Sequence, residues 1–172
     1  MNLAYTHLLP ADFAPSSRVW IYQCSRPFTL SEVLQVEDML NNFSQQWHAH
    51  GAGVKSFATV FFGQFIILMA DETHTEVSGC STDSSVRMIK EIEKQFEVTL
   101  FDRQTLAFVV KDKTQLLPLS QLAYAMQNNF ITADTLYFNN TVQTKKELES
   151  NWLISLKDSW LARKLALPPV IS

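Results

Sequence analysis

Val54-Lys55-Ser56-Phe57-Ala58-Thr59-Val60-Phe61-Phe62-Gly63-Gln64-Phe65-Ile66-Ile67-Leu68-Met69-Ala70-Asp71-Glu72 is the stretch on which the fold turns. Its β-branched and aromatic content reads as two strands, Val54 to Phe62 and Phe65 to Glu72, joined tightly at Gly63-Gln64. Side chains alternate across a strand, so Phe57 and Phe61 fall on one side of the first and Val60 and Phe62 on the other. Both faces are apolar, and both need cover.

Upstream, Arg18 to Ser25 alternates in the strand manner and is broken by Arg26-Pro27. Thr29-Leu30-Ser31-Glu32 is a capping box, with Phe28 and Val33 spaced as a hydrophobic staple. Val33, Val36, Met39, Leu40, Phe43 and Trp47 then form one helical stripe that should end near Gly51. Downstream, Gly79 to Ser85 opens a second helix with the stripe Val86, Ile89, Ile92 and Phe96, and a strand follows from Gln104 to Lys111. Strand, helix, strand, strand, helix, strand is the order of a ferredoxin-like α+β core with an antiparallel sheet.

That core and its N-terminal arm are expected to occupy residues 1–113. Residues 114–172 are expected to form a mostly helical extension packed on it. The extension should hold a short helix after Pro118, a strand at Thr135 to Phe138 and a helix opened by Thr144-Lys145-Lys146-Glu147, with Pro168-Pro169 ending regular structure. Two helices cover only one face of such a sheet. The other face must meet the extension or a second copy of the chain, and a homodimer is the expectation.

The 172 residues suit one domain with a sizeable core, and 47% hydrophobic with 12% aromatic residues is globular composition. Net charge is -3 and the pI about 5.8, with no basic cluster larger than Lys145-Lys146. Nucleic acid demands a basic footprint that this chain does not offer. Phe65 to Ala70, the longest apolar run, is far too short to cross a bilayer. The N-terminus lacks a basic segment followed by an apolar one, so the reading is a cytoplasmic protein whose two cysteines are thiols.

The ferredoxin-like order brings one end of the first helix, the third strand's end and the second helix's start to a common edge. His48, His50, Asp71, Glu72, His74, Cys80, Asp83 and Lys111 gather there, with Arg87 one turn into the helix. Cys80 with His50 or His48 has the ingredients of a nucleophile and its base. Ser81, Asp83, Ser84, Ser85 and Arg87 surround the helix N-terminus, where unpaired amides and the helix dipole favour a small anion. Blander roles weigh against each. Ser81, Thr82 and Asp83 are ordinary capping residues, Cys80 beside Gly79 reads as a small buried filler, and Arg87 is spaced to pair with Asp83. His48-Ala49-His50 lacks the companion ligands of a zinc site, so no metal and no cofactor is expected.

Val19-Trp20-Ile21-Tyr22-Gln23, Arg26-Pro27-Phe28, Trp47 with His50-Gly51, Ser78 to Arg87 and Phe101-Asp102-Arg103 resemble a family of short uncharacterised bacterial proteins. Asp134-Thr135, Phe138-Asn139-Asn140 and Lys157-Asp158-Ser159-Trp160 extend the likeness over nearly the whole chain. The family brings no established activity. Its occasional label of ABC-transporter ATPase fails here on chemistry: Gly51, Gly53, Gly63 and Gly79 are the only glycines, and none precedes a lysine as a phosphate-cradling loop requires. The expectation is a non-enzymatic binding or assembly module. The alternative is a small enzyme using Cys80 with a nearby histidine.

Overall fold

A computed structural model of the chain describes residues 1–165; residues 166–172, and with them the expected stop at Pro168-Pro169, lie outside the described range. In chain order the elements are β1 (Arg18–Gln23), α1 (Leu30–Gln46), β2 (His48–Ala49), β3 (Ala52–Gly53), β4 (Lys55–Phe61), β5 (Phe65–Asp71) and α2 (Gly79–Phe96). They continue with β6 (Thr105–Val110), β7 (Lys113–Pro118), α3 (Leu122–Gln127), β8 (Leu136–Phe138), α4 (Lys145–Asn151), β9 (Leu153–Ser155) and α5 (Leu161–Lys164). The fold is α+β, with antiparallel sheets, and the chain divides into two compact units. The larger is Leu3–Phe101 with Val142–Glu149; the smaller holds Met1–Asn2, Asp102–Thr141 and the chain from Ser150.

In the larger unit, β5 is the centre of a three-stranded sheet ordered β1-β5-β4, with Arg18 opposite Ala70 and Phe61 opposite Phe65. All seven β5 residues are buried, as a strand covered on both faces must be. Ile66 packs with Val36, Leu40, Ile89 and Ile92 of the two helices, while Leu68 and Ala70 pack with Trp47 and Val54. Phe65, Ile67 and Met69 alternate to the other face and are fully buried in a single copy of the chain. The N-terminal arm lies on that side: the Tyr5 ring sits 5.8 Å from Phe61 and 6.1 Å from Phe62, and its hydroxyl donates to the Leu148 carbonyl at 2.5 Å. The apolar face that motivated a homodimer is therefore not left open.

The capping box forms as its spacing predicts. Thr29 Oγ1 accepts from the Glu32 amide at 3.2 Å, and Glu32 accepts from the Thr29 amide at 2.8 Å. Arg26 adds two 2.8 Å bonds to the Glu32 carboxylate and donates to the Phe96 carbonyl at 2.9 Å. It thereby ties the start of α1 to the end of α2. The Arg26 fork, helped by the Thr29 amide, holds the Glu32 carboxyl down at about 2.

Strand, helix, strand, strand, helix is present, but the sheets differ from a ferredoxin-like arrangement. β6 is not the fourth strand of the first sheet; it belongs to a second one, ordered β7-β6-β8-β9. A strand has two edges, and both of β6's are used: Thr105–Val110 pairs with β7 over its length, and Phe108 lies opposite Tyr137 of β8. The hairpin turns on Lys111 and Asp112, with φ of 50° and 57°, the left-handed pair that suits the twist of a two-residue turn. In the larger unit, the edge of β1 is met by other residues. Val19 donates to the Gln143 carbonyl at 2.9 Å, Lys145 to the Ser17 carbonyl at 2.8 Å, and Arg18 bridges Thr144.

The smaller unit closes around Phe108, Leu122, Ile131, Tyr137, Leu156 and Leu161. The segment after residue 113, expected to be mostly helical, supplies three of the four strands of this sheet, β7, β8 and β9, and, among the described residues, only short helices.

Candidate functional site

The end of α1 and the start of α2 are locked together by one serine and one tryptophan. Trp47 packs on Phe43 and Trp20, with ring centroids 5.1 and 6.0 Å away, so its indole is buried and its N–H needs an acceptor. It finds the Ser81 carbonyl at 2.9 Å. Ser81 Oγ donates in turn to the His48 carbonyl at 2.7 Å, and the Ser81 amide donates to Ser78 Oγ at 3.1 Å. These bonds hold the chain extended from Trp47, so α1 stops at Gln46 instead of running toward Gly51. A two-residue turn follows, with His50 at φ 52° and Gly51 at φ 80° between the paired Ala49 and Ala52. His50 holds the place that asparagine usually takes in such a turn, at some conformational cost.

A groove of about 800 Å³ runs between the two helices. α1 lines it with Met39, Asn42, Phe43 and Gln46, spaced along one helical face. α2 answers with Cys80, Ser84, Arg87, Met88 and Glu91, while His48 and His50 close one end. Met88 is buried and Met39 and Phe43 are half-buried, which gives an apolar floor; Asn42, Gln46, Arg87 and Glu91 are exposed polar walls. His48 Nδ1 lies 2.6 Å from the Gln46 carbonyl. Among the described residues neither Arg87 nor Glu91 forms an ion pair, although the two are one turn apart and Asp83 is one turn before Arg87.

Six of the eight residues singled out from the sequence meet at this groove: Cys80, His48, His50, Ser81, Ser84 and Arg87. Asp83 is exposed outside the lining, and Ser85 is fully buried with its hydroxyl donating to the Thr82 carbonyl at 2.7 Å. Cys80 is exposed at the groove, not a buried filler. It makes no hydrogen bond to either histidine among the described residues. Ser81 is a structural lock. Its amide and that of Thr82, which donates to the Ser78 carbonyl at 2.9 Å, are already taken, so two of the donors expected for an anion are occupied.

Of the remaining edge residues, Asp71 and Glu72 serve the fold, while His74 is exposed outside the groove lining. Asp71 is buried and accepts from the Thr73 hydroxyl at 2.8 Å, the Thr73 amide at 3.1 Å, the Ala14 amide at 3.2 Å and Lys55 Nζ at 3.3 Å. The Thr73 hydroxyl bond leads in pulling its carboxyl well below the usual range, supported by the Thr73 and Ala14 amides and Lys55. Glu72 accepts from the Val77 amide at 2.8 Å, and Lys111 sits in the β6–β7 turn of the smaller unit. Cys24 is fully buried, which pushes its thiol up, and both cysteines are free.

Met39, Phe43, Asn42, Gln46, Met88 and Glu91 are the groove residues that sequence reasoning missed. Met39 and Phe43 share the α1 stripe and read as core, although their partial exposure makes them floor. Among the described residues no group of three or more His, Cys, Asp or Glu side chains is placed to hold a metal ion. No described helix is long and apolar enough to cross a membrane. No protein family, curated protein or solved structure matches the chain.

Proposed function

We propose that this chain is a non-enzymatic binding module whose binding face is the groove between α1 and α2. The observation that carries the reading is the pairing of a half-buried apolar floor, Met39, Phe43 and Met88, with polar walls in one recess of about 800 Å³. Recesses of this size and mixture are where proteins hold ligands. A reading as a Cys80 enzyme draws on a different observation, an exposed thiol lining the same groove as two histidines. Without a base bonded to the thiol it ranks second. The family likeness and a cytoplasmic setting belong with this proposal. A homodimer has less to support it now that Phe65, Ile67 and Met69 are buried within one chain.

Methionine-methyl NMR tests the reading. With a panel of small amphipathic organic probes, Met39 and Met88 methyl signals should shift while those of Met69 and Met126, which do not line the groove, stay put. Cys80→Ser should leave those shifts unchanged. Loss of every response in Cys80→Ser would favour the enzyme, and no response of Met39 or Met88 to any probe would reject the binding module.

A further inference from the structure

Arg87 and Glu91 stand one turn apart on α2, line the same groove and are both exposed, yet remain unpaired with one another. Arg87 also leaves Asp83 unused, although an acid four residues before a base is the favoured order on a helix. Two opposite charges that forgo their local partners are left available to an occupant. The remaining lining describes that occupant. From Cys80 to Glu91 the α2 wall spans about 16 Å, three helical turns, which is far longer than a single small charged molecule requires. Two thioether side chains and one aromatic ring make an adaptable apolar floor. On the α1 wall, Asn42 and Gln46 offer amides that both donate and accept.

Resting on the groove as a binding face, we propose that its occupant is an amphipathic helical segment of a partner protein. The segment sets apolar side chains on Met39, Phe43 and Met88. It also carries an acid and a base about one turn apart, the acid against Arg87 and the base against Glu91. Opposite charges one turn apart on the segment fix its register, and in the chain direction that the groove's unlike ends impose the reverse order would oppose like charges. Asn42 and Gln46 meet the polar flank of the segment. No bond is made or broken.

Two capped synthetic peptides of about twelve residues, long enough for three turns, test this. Both carry leucines on one face and an acid and a base four residues apart, in opposite order. The titrations follow the Met39 and Met88 methyl signals. The wild-type protein should prefer one order by at least about tenfold. The double variant Arg87→Glu/Glu91→Arg, checked for an unchanged circular dichroism spectrum, should prefer the other order by a similar factor. An unchanged preference in the double variant, equal binding of both peptides, or binding of neither would overturn the proposal. Where neither peptide binds, the small-probe panel separates the cases: a surviving methyl response leaves the binding module standing, and its absence rejects both.

Discussion

Two clusters of charge in the larger unit, drawn together by the sequence order, are built in opposite ways. At Asp71 the charge is fully engaged by neighbours: one carboxylate accepts four hydrogen bonds, from Thr73 (two), Ala14 and Lys55, and Lys55 also reaches Asp12 at 3.1 Å and lies over the Phe13 ring at 4.6 Å. This fastens the N-terminal arm to the sheet. At the groove, Arg87, Glu91 and Cys80 are exposed, and among the described residues neither Arg87 nor Glu91 forms an ion pair. Saturated charge marks what holds the fold, and unpaired charge in a recess marks what is kept for something else. The same contrast separates the cysteines, Cys24 sealed in the core and Cys80 at the groove.

The widest effect should appear in thiol chemistry. With Ellman's reagent on the native protein, Cys80 should react at once, while Cys24 should wait for opening of the core and react about a thousandfold or more slowly. Similar native rates would mean the two environments do not differ as described. Next comes the anchor. Asp71→Ala removes the buried acceptor shared by Thr73, the half-buried Ala14 amide and Lys55, and should cost about 3 kcal/mol in urea unfolding, with the arm becoming more open to protease.

The pH dependence follows from the direction of its shift. A carboxyl lowered in the folded state stabilises fully above the unfolded value of about 3.9, and that contribution fades as pH falls toward the lower folded value. Wild-type stability should therefore drop below about pH 4 more steeply than that of Asp71→Asn. Equal slopes would remove Asp71 from the account. Ser81→Ala should cost about 1 kcal/mol, because it removes the part-buried link to the His48 carbonyl. It should also broaden the Met88 methyl signal as the end of the groove loosens.

A smaller effect, of opposite sign, tests the turn at the groove's end. His50→Asn suits the positive φ of 52° better and should stabilise by a few tenths of a kcal/mol. If binding falls while stability rises, the histidine is held in strain for recognition. If both rise, it is only a tolerated turn residue.

Local signals were the ones legible in the sequence. The capping box at Thr29 and Glu32, the strands β4 and β5, and both helices of the larger unit follow from spacing and side-chain type. The partner of β6 did not. Its hairpin turns on Lys111-Asp112, a pair without the Asn-Gly signature that announces such a turn, so the sequence does not mark β7 and leaves β6 free to join the first sheet. Six of the site's residues were legible because topology alone brings the end of α1 to the start of α2. The groove's floor was not, since Met39 and Phe43 carry the same periodicity whether they face core or recess. Nor can spacing reveal that Arg87 would decline Asp83.

The central claim is that Arg87 and Glu91 are kept for an occupant and contribute nothing to the fold. Urea unfolding of the Arg87→Ala/Glu91→Ala double variant, beside the wild type, tests it most directly. The two stabilities should be equal within about 0.5 kcal/mol, as for surface charges without partners. A loss above about 1 kcal/mol would show that the pair holds the structure together, and would contradict it.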